Sequence, residues 1–230
     1  IMPSLVGSEM CIRDRHTFAL LFYVYEKLRY YDEYVKSGEY VKSPCFTHFD
    51  KVFNELSGKT WGIAGLGSIG RRVADVAKAF GWRVVYFPAS RHTYDTEFKR
   101  VSFDELLENS DIISIHAPLN DKTNNLFDDA AFAKMKKNAV LLNLGRGPIV
   151  NNAALTKALK ENIIAGAGLD VIDKEPIAAD NPLLEIQDSS KLIITPHIAW
   201  ATYEARVRLM DEVYENIKAF EAGESRNAVV

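Results

Sequence analysis

The sequence predicts an α/β fold, a doubly wound parallel sheet with helices on both faces, and three observations predict it. From Lys59 onward, short apolar runs bounded by Gly, Pro and Asn alternate with segments of helical period, the pattern of repeated βα units. The runs are apolar throughout, as strands buried on both faces are. Three ionisable residues each sit just past such a run: Arg146 after 139–144, Glu175 after the run ending at Ile172, and His197 after Leu192-Ile-Ile-Thr195-Pro196. Sheets of this kind hold ligands at the carboxyl ends of their strands, where all three residues would emerge together.

The elements follow in order. Ile1 to Arg15 show no helical or strand period and end in Met10-Cys11-Ile12-Arg13-Asp14-Arg15. They read as a non-native leader translated from sequencing-adaptor sequence, with a disordered native tail as the other reading. From His16 to Lys36, Phe18, Leu21, Phe22, Tyr25 and Leu28 recur at helical spacing, which predicts one long amphipathic helix with a stop at Gly38 and a loop through Pro44. Phe18, Phe22, Tyr23 and Tyr25 are core or interface residues on this reading. Without a partner for that helix, Phe18, Leu21 and Phe22 would be uncovered and would favour self-association. Strands are expected at 61–64, 83–87, 111–115, 139–142, 163–169 and 192–194, and helices at 68–80, 103–108, 128–135 and 152–159. A last helix, 203–222, stops at Gly223.

Composition excludes several function classes. Twenty-eight basic and thirty-one acidic residues give a net charge of −3, without the basic face that nucleic-acid binding needs. No apolar stretch approaches the roughly 20 residues of a membrane span, and the start lacks the layout of a signal peptide. Cys11 and Cys45 form neither a metal-ligand spacing nor a disulfide framework. A cytoplasmic protein acting on a small ligand is the expectation.

Gly62-Ile-Ala-Gly65-Leu-Gly67-Ser68-Ile69-Gly70 follows a strand and opens a helix. In that context the glycines read as a dinucleotide fingerprint: Gly65 for the tight turn, Gly67 for close approach of a pyrophosphate, and Gly70 for packing of helix on strand. The carboxylate expected about twenty residues on, for the adenosine ribose, is missing from Tyr86-Phe87-Pro88-Ala89-Ser90-Arg91-His92, and Asp95 comes late. That removes repulsion against a 2′-phosphate, which Ser90 and Arg91 could bind; a surface turn with a solvated Arg91 is the alternative. His116-Ala117-Pro118-Leu119 would pass over the cofactor, and His116 reads as a structural or cofactor-edge residue more than an acid–base group. Asp170, at a strand end, could accept a hydrogen bond from a nicotinamide carboxamide, or cap a turn. Asn151 and Asn152 read as helix N-caps.

The trio carries chemistry. An arginine can hold a carboxylate with two parallel hydrogen bonds, a histidine can exchange a proton near neutral pH, and a glutamate can partner the protonated ring. Together they suit a small 2-oxo or 2-hydroxy acid, whereas each alone is as readily a salt bridge or a satisfied polar group.

From His16 to Val230 these residues resemble the D-2-hydroxyacid dehydrogenases. The resemblance runs through Gly65-Leu-Gly67-Ser-Ile-Gly70, His116-Ala-Pro118-Leu, Asn143-Leu-Gly-Arg146-Gly147-Pro-Ile-Val150, Gly168-Leu-Asp170-Val with Glu175-Pro176, and Thr195-Pro-His197-Ile-Ala-Trp200-Ala-Thr202. It implies a Rossmann domain for NAD or NADP, with Arg146 orienting the substrate, His197 as the acid–base residue and Glu175 as its partner. It also implies cofactor contacts from Ser68, Ile69, Ala117, Pro118, Thr123, Leu144, Gly145, Arg146, Asp170, His197 and Ala199. Trp200-Ala-Thr202 with Glu204-Ala-Arg206 is most similar to the glycerate dehydrogenase or hydroxypyruvate reductase branch. Pro88 stands where many members carry the cofactor aspartate. Members begin with about a hundred residues of substrate domain that this chain lacks. The organisation implied is a leader at 1–15, a linker helix and loop at 16–57, the dinucleotide-binding domain at 58–200 and a helix returning to the substrate domain at 201–230. The intact parent would be a homodimer, and the fragment alone inactive or cofactor-binding only. A nucleotide-sensing corepressor of the C-terminal-binding-protein type, which resembles the same family, is the competing class.

Overall fold

The computed structural model describes residues 3–89 and 96–227, with side chains from Ile12 onward. Seven parallel strands form one sheet: β1 (Thr60–Ala64), β2 (Arg83–Phe87), β3 (Lys99–Arg100), β4 (Ile112–Ile115), β5 (Val140–Asn143), β6 (Gly166–Leu169) and β7 (Leu192–Ile194). Their order is β3-β2-β1-β4-β5-β6-β7, and every neighbouring pair is parallel. The order reverses direction between β1 and β4, so the crevice for a ligand opens at the carboxyl ends of those two strands. β1, β4, β5 and β6 are buried along their whole length, which is why they read as unbroken apolar runs.

Helices α1 (Pro3–Tyr25) and α3 (Ser68–Ala79) lie on one face; α4 (Phe103–Asn109), α5 (Asp129–Lys134) and α6 (Asn152–Lys160) lie on the other. α2 (Leu28–Lys36) leads into the 40–53 segment, and α7 (Tyr203–Glu221) packs against α1. On the α4–α6 face Leu106, Ile113, Phe127, Phe132, Leu141 and Leu155 build one core. On the α1 face Phe18, Trp61 and Trp82 build the other, with Phe18 stacked on Trp82 at 6.0 Å between ring centroids. The Trp61 indole N–H donates to Ser114 Oγ at 2.8 Å, so a large aromatic side chain is buried with its polar atom satisfied.

The first helix departs from the expectation in three ways. It extends back to Pro3, with Ile12 and Asp14 buried and Asp14 paired to Arg72 of α3; the tertiary contacts, not the local period, carry those residues into the helix. It also stops at Tyr25 instead of running to Lys36. Lys27 takes a left-handed backbone (φ 58°) and its ammonium donates to the Ser190 carbonyl, turning α2 away from the sheet. Finally, Phe18 and Leu21 are buried, and Phe22 is partly so, because the sheet itself covers them. Of the two expected N-caps only Asn151 caps α6, accepting from the Ala154 N–H; Asn152 is the first helical residue and donates to Asp173. The short edge strand β3, two exposed residues long, has no period that sequence could reveal. Among the described residues no helix is long and apolar enough to cross a membrane.

Candidate active site

The turn after β1 is tight. Gly65 has φ +98°, and a Cβ there would stand 2.8 Å from the Ala117 amide nitrogen, so the fingerprint turn and the His116 loop touch through their backbones. Among the described residues no heavy atom beyond the chain neighbours lies within 4 Å of where a Cβ on Gly67 would sit, leaving the start of α3 open to a phosphate. A helix N-terminus with unobstructed backbone N–H groups suits the pyrophosphate of a dinucleotide. Ser68, Ile69 and Gly70 form the first turn of α3. Ser90 and Arg91, the expected 2′-phosphate contacts, lie outside the described residues, as do His92 and Asp95.

Arg146 lies just beyond β5, on a loop shaped by Asn143. The Asn143 side chain accepts from the Gly145 N–H and donates to the Arg146 carbonyl, both at 3.1 Å. Arg146 is half-buried, and with Ile69, His116, Ala117, Pro118, Leu144 and Gly145 it lines a cavity of about 380 Å³. Thr123 does not line it: the residue is buried and its hydroxyl donates to the Pro118 carbonyl at 2.6 Å, shaping the loop from below.

His197 and Glu175 are in direct contact, with Nδ1 2.7 Å from a glutamate oxygen. The second glutamate oxygen accepts from the Ile172 N–H at 3.1 Å, so the carboxylate is fixed at both ends and leaves Nε2 as the free ring nitrogen. His197 itself has a left-handed backbone, φ 53°, a region sparsely used by non-glycine residues. Asp170 holds it there. The Asp170 carboxylate accepts from the N–H groups of Ile198 and Ala199, each at 2.9 Å, and from the Thr195 hydroxyl at 2.6 Å, while its carbonyl accepts from the His197 N–H. His16 of α1 reaches the same cluster, 3.0 Å from Thr195 Oγ. Burial pushes the Asp170 pKa up, but these hydrogen bonds outweigh it and hold the group below the usual carboxylate value.

The structure thus brings Glu175, His197 and Asp170 together beside a cavity of about 650 Å³ that Ile172, Ile177, Leu184 and Ile194 make largely apolar. Arg146 lies at the end of the adjacent strand, in the smaller cavity with His116. Thr195, His16 and Asn143 were absent from the sequence-derived site. Only their adjacency to His197 and Arg146 in the motifs, or for His16 nothing at all, could have signalled them.

The profile described as D-isomer specific 2-hydroxyacid dehydrogenase, NAD binding domain, matches residues 18–199. The chain is 37% identical over 214 residues to a glycerate dehydrogenase of Methylorubrum extorquens, covering 93% of this chain and 66% of that protein. It therefore spans just under two thirds of that relative's length. A D-lactate dehydrogenase from Aquifex aeolicus, complexed with NAD and lactic acid, superposes with a TM-score of 0.82 at 30% identity, covering 92% of this chain and 66% of the other. An acyclic imino acid reductase in complex with NADPH and D-Arg gives 0.82 at 33% identity, covering 97% and 69%.

Proposed function

This chain belongs to the D-isomer specific 2-hydroxyacid dehydrogenase family, and from that premise we propose that the whole protein interconverts a small D-2-hydroxy acid and its 2-oxo acid, glycerate and hydroxypyruvate being the favoured pair. The observation that carries this reading is the His197–Glu175 contact of 2.7 Å at the carboxyl end of the sheet, one strand beyond the loop that presents Arg146. A nicotinamide dinucleotide, NAD or NADP, supplies the hydride when bound. Gly65, Gly67 and the first turn of α3 would hold its phosphates, and Asp170, whose Oδ2 keeps one lone pair beyond the Ala199 N–H, would accept from its carboxamide.

The chain's own residues supply the rest. Arg146 pairs with the acid's carboxylate and places a fixed positive charge beside the carbonyl where negative charge develops in reduction. His197, through Nε2, gives a proton to that oxygen in reduction and removes it in oxidation. Glu175, accepting from Nδ1–H, fixes the ring's tautomer and direction. A homodimer in a reducing, cytoplasmic compartment completes the reading. Exposed Val41, Phe46, Phe49 and Val52 support the self-association.

The test is turnover by the whole protein of hydroxypyruvate with reduced dinucleotide. His197→Ala is expected to lower turnover about a hundredfold or more, and Arg146→Ala to act mainly on substrate binding. Near-normal turnover in His197→Ala refutes the assignment. Dinucleotide binding without turnover of any 2-oxo acid by the whole protein favours the nucleotide-sensing reading instead.

A further inference from the structure

One buried group has no task in that mechanism. Among the described residues neither ring nitrogen of His116 meets a hydrogen-bond partner, although both are shielded from solvent. Native structures rarely leave such atoms unpaired, because an unmade buried hydrogen bond is costly. The ring lines the 380 Å³ cavity together with Ile69 of α3, Gly145 and Arg146. Burial, and then the charge of Arg13, press its pKa down to about 3. The imidazole is therefore neutral at ordinary pH and offers one N–H donor and one lone pair. The cationic groups lining the cavity are Arg146 and Arg13, not this ring.

Position narrows the partner. On one side the backbone just past His116 abuts the fingerprint turn, with Ala117 N 2.8 Å from a Cβ built on Gly65. On the other side stands Arg146, which anchors the reacting acid. A dinucleotide is ordered base, sugar, two phosphates, sugar, base. With phosphates over the fingerprint turn and the reacting ring toward Arg146, the part that falls between is the second sugar. A sugar hydroxyl both donates and accepts, which matches a neutral imidazole; phosphate and carboxylate only accept. We infer that His116 recognises the ribose hydroxyls of the reacting nucleoside, a contact that rests on the dinucleotide reading above.

The experiment measures binding of ADP, ADP-ribose and NADH to this chain and to His116→Leu and His116→Gln. ADP lacks the second sugar, ADP-ribose has it without the nicotinamide, and NADH has both. In the unaltered chain ADP-ribose is expected to bind more tightly than ADP. His116→Leu should remove that advantage, weakening ADP-ribose and NADH about tenfold while leaving ADP unchanged. His116→Gln, which keeps a donor and an acceptor, should restore part of it. Unchanged ADP affinity shows at the same time that the leucine variant is folded. Equal losses for all three ligands, or a loss for NADH alone, overturn the assignment, the first by making His116 structural and the second by making its partner the nicotinamide. If the unaltered chain binds none of the three, the dinucleotide reading itself fails and this inference falls with it.

Discussion

A Cβ atom on Gly147 would stand 1.7 Å from the Ile172 carbonyl oxygen, so the loop that presents Arg146 and the loop that presents Glu175 are pressed backbone to backbone. Asp173, in the second loop, accepts from both Asn152 and Asn181 and ties that loop to the first residue of α6, just past the Arg146 loop. The arginine and the His197–Glu175 pair are therefore positioned by one packed unit, although their side chains line different cavities.

Gly147→Ala has to force those backbones apart. It is expected to cost about 3 kcal/mol or more, at the upper end of overpacking substitutions, and to lower turnover in the whole protein by displacing both loops. Urea unfolding of the variant beside the parent measures the first effect. An alanine variant of unchanged stability contradicts the close packing.

At the opposite end of the sheet, Asp111 joins three elements. It accepts from the Thr60 N–H at 2.9 Å, from Asn138 at 3.0 Å and from the Lys136 ammonium at 3.2 Å. Burial raises its pKa, but these partners outweigh burial and bring it below the ordinary carboxylate value of 3.8. A carboxylate depressed in the folded state stabilises fully above its unfolded pKa, and the contribution is lost as pH falls through the folded one. Asp111→Asn should thus lose about 2 kcal/mol at neutral pH, with the gap to the parent closing below about pH 4. Denaturant midpoints across that range decide it; a gap that widens in acid has the wrong sign. Dinucleotide affinity should not change, because Asp111 lies at the amino end of the strands.

Cofactor choice is expected to turn on the end of β2. Pro88 offers no carboxylate to a ribose there, and Ser90 and Arg91 follow it. The whole protein is expected to use NADPH as well as NADH, and Arg91→Ala to shift the ratio of their kcat/KM values toward NADH. If NADPH is unused, or the ratio is unmoved by Arg91→Ala, the proposed phosphate contact is wrong.

The His197 and Glu175 side chains stand in the open, 35% and 36% exposed. Hydride transfer needs a water-poor cleft with reacting atoms held within roughly 3–3.5 Å. The 230-residue chain should therefore show dinucleotide-dependent thermal stabilisation with little or no oxidation of reduced cofactor by hydroxypyruvate. Turnover on the scale of a complete dehydrogenase would mean that this open arrangement suffices.

Apart from β3, whose two exposed residues carry no apolar run, strand and helix positions from β1 to α7 were legible because buried parallel strands write themselves as apolar runs and their helices as periodic segments. The fingerprint and the three ionisable residues were legible for a related reason: they fall at strand ends, where the run breaks. What remained hidden depends on contacts distant in sequence. The left-handed Lys27 that splits the first helix is tied to Ser190, 163 residues away. Thr195 holds His197 directly, its carbonyl accepting from the His197 N–H, and also through its hydroxyl on Asp170, while His16 joins them from another element. Local period carries no trace of such pairings.

The left-handed backbone of His197 also decides how its chemistry can be dissected. On the proposed mechanism a residue there contributes two separable things, a proton and a turn, and most replacements remove both at once. Alanine tolerates that backbone poorly and a β-branched residue worse, so the chain around it would relax and carry Ile198 and Ala199 off the Asp170 carboxylate. Asparagine enters the same region readily. His197→Asn is thus the replacement expected to silence the proposed acid while leaving the loop in place, and the difference between it and His197→Ala measures what the turn alone is worth to turnover by the whole protein.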